Sequence, residues 1–381
     1  MMAFPLSDLW VINSTVGWNG LLFLFIFLQN TKLENLLDTF YSLNSNRNAQ
    51  SAGNSYLCIP KFKLELGKTG SSETIRGNTY DLFKKNFACY FHTNFKKDNS
   101  WLSWFVGFLE GDGAILEHKG RSYMVITQKD DTILHEIHQT LNIGKVKHFY
   151  DNNDNRKFSR YIVSDNKGIF LLYLLLNGNL VLQSRINQLN KWNIALKNEK
   201  RFKYSLFNTK EVPELIGITK VPSINDSWLS GFTDAEGCFS VKVYKVNVSY
   251  YVKMLFILDQ KNTKIVLDKI ALLFNAKTKA KIRTPKKLSS YNTCFTSGIY
   301  RLSISCNSVK INTTYNIINY FNTFKLKTSK KKSFYIWNEI SSIILGKQPL
   351  TMENLYKVRK LRHNMNFYTI QNKSIGKANK S

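Results

Sequence analysis

Two short stretches of the chain carry acids and glycines in the same pattern. The first, WFVGFLEGDGAI, runs from Trp104 to Ile115, and the second, WLSGFTDAEGCF, runs from Trp228 to Phe239. Each combines an apolar run, small residues, two acids and a glycine. Asp112 and Glu236 occupy equivalent places 124 positions apart, a spacing too long for a solenoid repeat and typical of duplicated domains.

The small residues in the two stretches indicate a pair of closely packed helices. Positions four apart share one face of a helix, and small residues there let two backbones approach each other. The four small residues are Gly107, Gly111, Gly231 and Ala235. If the two helices pair about a pseudo-twofold axis, Asp112 and Glu236 meet at the helix ends, each followed by a glycine that is expected to stop its helix.

Two carboxylates brought together at helix C-termini repel each other and the helix dipoles, and a cation between them relieves that repulsion. Divalent ions held by paired carboxylates can activate water and stabilise both reacting oxygens in phosphodiester hydrolysis. The sequence therefore predicts Asp112 and Glu236 as ligands of hard divalent ions, and the doubled motif predicts two strand cuts. The earlier acids, Glu110 and Asp234, are expected to cap or pair locally instead.

The charge of the chain favours a polyanionic partner. Lys and Arg number 54 against 26 Asp and Glu, giving a net charge of +28 and a pI near 9.8. Nucleic acid is the expected partner. A membrane partner is not expected, because the most apolar runs, at 20–28 and 169–176, are far short of the roughly 20 residues that a spanning helix needs. No zinc site is predicted from HEIH (His135 to His138), which lacks the HExxH spacing.

The similarity of the two halves continues beyond the acids and predicts an α+β fold. QKDDTILHEI, from Gln128, is echoed by QKNTKIVLDK, from Gln260, and each is followed by an alternating segment and a helix-like stretch. The predicted order is αββαββα, twice, with antiparallel sheets. We predict an N-terminal extension that reads as a linker or loosely folded arm, a first domain, a linker, a second domain and a basic C-terminal helix and tail, at residues 1–98, 99–200, 201–222, 223–345 and 346–381.

The predicted strands supply candidate DNA contacts. In VKVYKV, Lys242 and Tyr244 share one face of a strand while Val241 and Val243 share the other. A Lys-Gly turn separates two runs of strand-formers after the first motif, and a basic hairpin-like segment, KAKIRTPKK, lies in the second half. The candidate DNA-binding residues are Lys119, Arg121, Lys242, Tyr244, Lys281 and Arg283.

The paired motifs, followed by Gln128 and Gln260, resemble those of the two-repeat LAGLIDADG homing endonucleases over roughly residues 100–366. The resemblance implies a monomer whose two αββαββα halves grip the major groove of a long asymmetric DNA site with their sheets. It also implies Mg²⁺-dependent double-strand cleavage. Because such proteins are typically encoded in organellar introns, we expect a mitochondrial location, ahead of the chloroplast.

The family's functional residues can be placed on this sequence by position. The paired acids become the metal ligands, and Gln128 and Gln260 match amides that help to order water around the scissile phosphates. A lysine near the metals is a further family feature, for which Lys327 is the first candidate and Lys330 the second. The equivalent first-half stretch, NLVLQSR at 179–185, contains no lysine, so the two sites are expected to cut at unequal rates or the first to be impaired.

Three functions are compatible with these features. A site-specific DNA endonuclease that initiates intron homing is the leading interpretation. The alternative is a maturase that binds its own group I intron RNA to assist splicing, since the same fold resembles both. Retention of Asp112 and Glu236 favours cleavage. A non-catalytic DNA-binding protein would explain the charge but not the paired acids.

Overall fold

Each duplicated motif begins a helix–strand–strand unit in the structure, which is a computed structural model. The structure describes residues 72–151, 156–199, 206–209, 211–283, 298–307, 310–345 and 350–378. Among these residues no helix is long and apolar enough to cross a membrane.

The first half contains two helix–strand–strand units followed by two further helices. Asp98 caps the motif helix, because its carboxylate accepts a hydrogen bond from the amide of Trp101 at 2.8 Å. Including a preceding helix, the elements are α1 (Ser72–Phe91), α2 (Asn99–Asp112), β1 (Gly113–His118), β2 (Arg121–Gln128), α3 (Thr132–Leu141), β3 (Lys145–Asp151), β4 (Arg156–Val163), α4 (Asn166–Leu176) and α5 (Gln183–Asn198).

The second half repeats this order. Its motif helix begins at Trp228 and ends at Glu236, and the next strand starts directly at the following glycine. The elements are α6 (Trp228–Glu236), β5 (Gly237–Val246), β6 (Ser249–Lys261), α7 (Lys264–Leu273), β7 (Lys281–Ile282), β8 (Ile299–Cys306), α8 (Ile311–Thr323), α9 (Lys330–Ile344) and α10 (Met352–Ala378).

The two sheets have the same topology. The strand orders are β1-β2-β4-β3 and β5-β6-β8-β7, and all neighbouring strands are antiparallel. In the first sheet Gly113 pairs with Ile126, and in the second Gly237 pairs with Leu258. The registers therefore begin at the residue after each paired acid. The predicted α+β fold with two pseudo-symmetric halves is confirmed.

Alternation of side chains gives each sheet a packed face and an open face. On β2, Met124 and Ile126 are fully buried, while Arg121 and Thr127 are exposed. Because successive side chains of a strand point to opposite faces, the helices cover one face of the sheet and the basic and polar side chains occupy the other.

Each half ends in two helices, whereas the sequence suggested one. In the first half the chain leaves α4 at Asn177 and passes through Gly178, whose φ of 79° is in the left-handed region that favours glycine. All residues of α4 from Gly168 to Leu176 are buried. The apolar run at 169–176 is therefore a core helix, which is the usual place for a helix that is hydrophobic on all sides.

The segment before the first motif is ordered from α1 onwards, which corrects the expectation of a loosely folded arm for that part. Phe83 is fully buried, and the rings of Phe87 and Phe95 lie 5.1 Å apart in an edge-to-face contact. Tyr90 stacks on Phe207 at 5.3 Å. These aromatic side chains complete the core of the first half; residues 1–71 lie outside the described part of the chain.

The segment predicted as a linker is held against the first half where it is described. Asn177 donates its side-chain amide to the carbonyl oxygen of Glu214 (2.8 Å) and accepts a hydrogen bond from the amide of Ile216 (2.8 Å). The amide of Lys220 donates to the carbonyl oxygen of Leu180 at 2.8 Å. These hydrogen bonds fix the path by which the chain passes from one half to the other.

Candidate active site

The two motif helices, α2 and α6, cross in backbone contact. A Cβ atom placed on Gly107 would overlap the carbonyl oxygen of Trp228, and one placed on Gly231 would overlap that of Trp104. Further along, a Cβ atom on Gly111 would overlap the side chain of Ala235 and lie 3.2 Å from Cγ of Glu236. The four small residues therefore lie in the helix interface, where they bring the two helix ends together.

Both motif helices end at the glycine that follows the paired acid, as expected, but without the usual left-handed conformation. Gly113 and Gly237 have φ values of −86° and −84°, which is extended backbone and not the left-handed conformation of a helix stop. A side chain on Gly113 would lie 2.8 Å from Cγ of Leu109, and one on Gly237 would lie 2.7 Å from the carbonyl oxygen of Thr233. Because glycine has no side chain, each strand can start directly beside the last turn of its motif helix. This close packing holds the paired acid at the junction between helix and strand.

Asp112 and Glu236 form an electrostatically unfavourable pair. Burial raises the pKa of the Glu236 carboxyl to about 7, and the charge of Asp112 acts in the same direction. Burial also raises the pKa of Asp112, against the effect of Gln128, whose Nε2 donates to Oδ2 of Asp112 at 2.6 Å. Within the described residues no hydrogen bond reaches the Glu236 carboxylate. An all-oxygen donor pair with so few partners fits a hard divalent cation.

The earlier acids bind the backbone amides at the start of later helices, which agrees with the expected capping role, and each also joins the two halves. Glu110 is fully buried, and its carboxylate accepts hydrogen bonds from the amides of Val181 (3.0 Å) and Leu182 (2.7 Å) and from the indole of Trp228 (2.6 Å). The two amides lie at the start of α5, where backbone N–H groups favour an anion. Burial raises the pKa of Glu110 to about 7, and these hydrogen bonds oppose the shift.

Asp234 makes the matching contacts in the second half. Its carboxylate accepts hydrogen bonds from the amides of Lys327 (2.8 Å) and Thr328 (3.1 Å), just before α9, and from the indole of Trp104 (2.8 Å). Each motif helix therefore donates a tryptophan N–H to the first acid of the other motif helix. We call Glu110, Asp234, Trp104 and Trp228 the cross-motif straps.

Two basic side chains reach the ends of the motif helices. Lys330 donates through Nζ to the carbonyl oxygens of Thr233 (3.2 Å) and Ala235 (2.6 Å). Arg185 donates through Nε and Nη2 to the carbonyl oxygen of Glu110, at 3.0 and 2.8 Å. Burial lowers the pKa of both groups, and the neighbouring carboxylates oppose that shift. Positive charge is thereby fixed beside both paired acids.

A cleft of about 600 Å³ opens beside Asp112 on the open face of the first sheet. The guanidinium of Arg160 lies over the rings of Phe149 and Phe158, at 5.0 and 5.1 Å from their centroids. Its Nε atom is buried without a hydrogen-bond partner among the described residues. The cleft is lined by Asp112, Thr127, Gln128, Lys129, Lys157, Phe158, Arg160, Asp234, Ala235, Thr328, Ser329 and Lys330.

Comparison with known proteins supports this architecture. The family model "LAGLIDADG endonuclease" matches residues 229–341. A probable intron-encoded endonuclease 4 of Neurospora crassa is 31% identical over 278 residues, which is 71% of this chain and 46% of that protein. An uncharacterized cox1 intron-2 37.2 kDa protein of Schizosaccharomyces pombe is 24% identical over 291 residues, covering 76% of this chain and 80% of that protein. The chain thus spans about half the length of the Neurospora relative.

The chain is similar to the LAGLIDADG family. The family match lies in the second half, and the first half repeats its motif, its element order and its sheet topology. Among solved structures, a point mutant of I-SmaMI aligns with a TM-score of 0.50 and 16% identity, covering 70% of this chain and 99% of that chain. At that identity the likeness supports the fold alone.

The six predicted DNA-binding residues are all exposed. Lys119 and Gly120 form the tight turn between β1 and β2 with φ values of 52° and 76°. Tyr244 stacks on Tyr251 at 5.8 Å, and Arg283 forms an ion pair with Asp259 at 3.3 Å. The six residues lie on or next to the sheets: Lys119, Arg121, Lys242, Tyr244, Lys281 and Arg283.

The structure corrects the choice of lysine. Lys327 was the first candidate, but its Nζ donates to Glu136 at 3.2 Å and lies over the ring of Trp104, 5.4 Å from the centroid. The second candidate, Lys330, lies beside the acids. The reason is local: the amide of Lys327 donates to Asp234, which directs its side chain away from the helix ends, whereas Lys330 begins α9 and points back at them.

The two predicted glutamines make different contacts. Gln128 holds Asp112, as described, whereas the side-chain oxygen of Gln260 accepts a hydrogen bond from the amide of Lys261 at 3.0 Å. Sequence reasoning also missed Lys157 and Arg160 in the cleft. The signal for Arg160 was the alternation in RKFSRYIV, which places Phe158 and Arg160 on one face of β4 and Ser159 and Tyr161 on the other.

Proposed function

We propose that the protein is a site-specific DNA endonuclease that cuts both strands of a long asymmetric site with Mg²⁺, which Mn²⁺ can replace. The observation that carries this proposal is the convergence of Asp112 and Glu236 at the ends of two helices in backbone contact. Two carboxylates repel each other there, so the arrangement costs stability unless a cation is bound. A protein that only bound DNA would gain nothing from two carboxylates that repel each other at this place.

The paired acids would hold the divalent ions. When bound, such ions stabilise charge on the reacting phosphate and lower the pKa of the attacking water. Gln128 orients the Asp112 carboxylate through its 2.6 Å hydrogen bond. Lys330 and Arg185 contribute positive charge beside the scissile phosphates, where developing negative charge needs fixed donors.

Duplex DNA fits the open faces of the sheets. The net charge of +28 provides a strong attraction for phosphates, and exposed Lys, Arg and Tyr side chains follow the strands. Arg160 has a buried, unpartnered Nε beside the cleft and is a further candidate phosphate ligand. Because the two sheets carry different side chains, we infer an asymmetric site read by a monomer.

The names of the relatives support a role in intron homing. The Neurospora protein is described as intron-encoded and the Schizosaccharomyces protein as a cox1 intron product. We infer that this protein initiates homing of its own intron and acts in the mitochondrion. The maturase alternative has no comparable support, since both paired acids are retained in a geometry that suits metal ions.

The test is cleavage of the intronless host sequence that flanks the reading frame, with Mg²⁺ or Mn²⁺. Wild type is expected to make a double-strand cut, and Asp112→Asn and Glu236→Gln are expected to abolish it. Glu339→Gln, an exposed acid of α9, is the matched control and should cut normally. No cut by wild type with either ion, together with tight binding to the intron RNA, would overturn the proposal in favour of the maturase.

Salt dependence tests the DNA interface separately. If six or more phosphates are neutralised, affinity should fall by roughly a thousandfold between low and moderate ionic strength. Binding that is insensitive to salt would rule out an interface dominated by phosphate contacts.

A further inference from the structure

A second group of metal-binding side chains lies in the first half, away from the motif helices. Oδ2 of Asp131 lies 3.9 Å from Nε2 of His135 and 3.4 Å from Nδ1 of His148. One ligand atom from each residue lies within 4.8 Å of the other two. The imidazole rings of the two histidines are 5.9 Å apart and tilted by 36°. We call these three residues the His–Asp cluster.

The fold brings the cluster together from two elements. Asp131 immediately precedes α3 and His135 lies one helical turn further on, so both point to the same side of the helix start. His148 is on β3, one of the two edge strands of the first sheet. Its Nδ1, the nitrogen nearest Asp131, is also 2.9 Å from Oγ of Ser159 on the neighbouring strand, and a metal bound through Nδ1 would replace that contact.

Asp131 does not perform the usual task of an acid at a helix start. Its side chain makes no capping hydrogen bond, and Asp130 accepts the hydrogen bonds of Thr132 instead, from its amide at 3.1 Å and its hydroxyl at 2.7 Å. The Asp131 carboxylate is therefore directed at the two histidines and not at the helix amides.

We propose that Asp131, His135 and His148 bind a divalent transition metal of the Zn²⁺ class, separate from the Mg²⁺ site proposed above. Four ligands at zinc bond lengths of about 2.0–2.1 Å stand about 3.3 Å apart in a tetrahedron. The distances of 3.4 and 3.9 Å to Asp131 exceed this value slightly and all three ligand atoms lie within 4.8 Å of one another, so the side chains would draw together around the ion. Two imidazoles and one carboxylate suit zinc better than Mg²⁺ or Ca²⁺, which prefer oxygen ligands.

The cluster is open enough for a water molecule to complete the coordination. The side chains of Asp131, His135 and His148 are 42%, 47% and 64% exposed. His148 pairs with Ser159, which is buried, so the cluster lies on the helix side of the sheet and not on the open face. A metal there would fasten the start of α3 to the edge strand β3, which stabilises the first half without contacting DNA.

The site would be confined to the first half, because the chain contains no histidine between His148 and His363. The proposal does not depend on the endonuclease activity. It is tested by calorimetric titration of Zn²⁺ into the full chain carrying Asp112→Asn and Glu236→Gln, so that the proposed Mg²⁺ site does not take up the metal. Wild-type protein in excess Mg²⁺ is titrated in the same way. These two proteins are the parents in which the histidine variants are made.

One Zn²⁺ is expected to bind to both parents and to raise their melting temperature. His135→Ala and His148→Ala should weaken binding at least tenfold and abolish the rise in melting temperature. His118→Ala, which removes an exposed histidine of β1 from the same half, should bind like its parent. Circular dichroism without metal checks that the variants are folded.

Equal Zn²⁺ binding by the parents, His135→Ala and His148→Ala would overturn the proposal, because the metal would then be held elsewhere, for example by cysteines. Failure of both parents to bind Zn²⁺ at micromolar concentrations would overturn it as well. Either result leaves the DNA cleavage assay unaffected, since that assay depends on Asp112 and Glu236.

Discussion

The two halves share the same set of buried hydrogen bonds around their motif helices and differ in the groups beside the paired acids. In both halves a buried acid accepts two backbone amides from the start of a later helix and one indole N–H from the other half. Beside the paired acids, however, the first half has Arg185 and a glutamine bound to Asp112, and the second has Lys330 and a glutamine turned towards Lys261.

This comparison shows which features duplication can vary. The strap contacts are buried, and a buried acceptor that loses its donors pays the full cost of desolvation, so both copies keep them. The basic group, in contrast, is only partly buried. When the two halves are aligned on their strap contacts, Ser184 of the first half occupies the position of Lys330. Arg185, one residue later, has a longer side chain that reaches the end of the motif helix. The same charge is supplied by a different residue.

The largest expected effect is a loss of stability that involves both halves, because it is caused at the crossing of their motif helices. Gly107→Ala should lower the free energy of unfolding by about 3 kcal/mol or abolish folding, because the added carbon overlaps the Trp228 carbonyl oxygen. Gly217→Ala is the matched control, since a Cβ atom there has nothing within 4 Å, and it should change stability by less than about 0.5 kcal/mol. Urea unfolding measures both. Equal stability of the two variants would mean that the helices do not cross at Gly107.

The next largest effect distinguishes the basic groups of the two halves, Lys330 and Arg185. Lys330→Met should slow the cut of one DNA strand by about 100-fold, so that nicked product accumulates, and Arg185→Met should slow the other strand. Substrates labelled on one strand at a time distinguish the two. Lys331→Met, at an exposed site over the Tyr335 ring, should cut normally. A larger loss in Lys327→Met than in Lys330→Met would contradict the assignment of Lys330.

The straps should respond alike in the two halves. Glu110→Gln and Asp234→Asn each replace a carboxylate that accepts several hydrogen bonds, and each should cost about 2 kcal/mol of unfolding free energy at pH 8. Trp228→Phe and Trp104→Phe remove one donor each and should cost about half as much. Double-mutant cycles in urea measure the coupling. If only one of the two acid–tryptophan pairs showed coupling, the two straps would not contribute equally to stability despite their similar geometry.

The smallest effect concerns the cost of the paired acids without metal. Because the pKa of Glu236 is raised to about 7 in the folded protein, its contribution to stability is fully present below its unfolded pKa and is lost as pH rises through 7. Glu236→Gln should therefore be more stable than wild type by about 1 kcal/mol at pH 8 and no more stable at pH 4.5. Thermal unfolding in chelator measures this, and adding Mg²⁺ should remove the difference. A wild type as stable as the variant at pH 8 would argue against repulsion between the acids.

The main elements followed from local pattern. The repeat of WFVGFLEGDG and WLSGFTDAEG predicted the motif helices, and alternation predicted strands β5 and β6. Less local features were missed. The break at Gly178 between α4 and α5 lay within one helix-like stretch, and α1 lay in a segment that resembled neither half. Both depend on packing against a core that a local pattern does not define.

The sequence by itself determined the duplication, the charge, the α+β class and the pair of acids, because these depend on residue types and spacings along one segment. The tertiary structure decided which side chains meet. It chose Lys330 over Lys327, joined Glu110 to Trp228 across 118 positions of the chain, and brought His148 to Asp131 and His135. Such contacts depend on the direction in which each side chain leaves its helix or strand, and only the packed halves fix that direction.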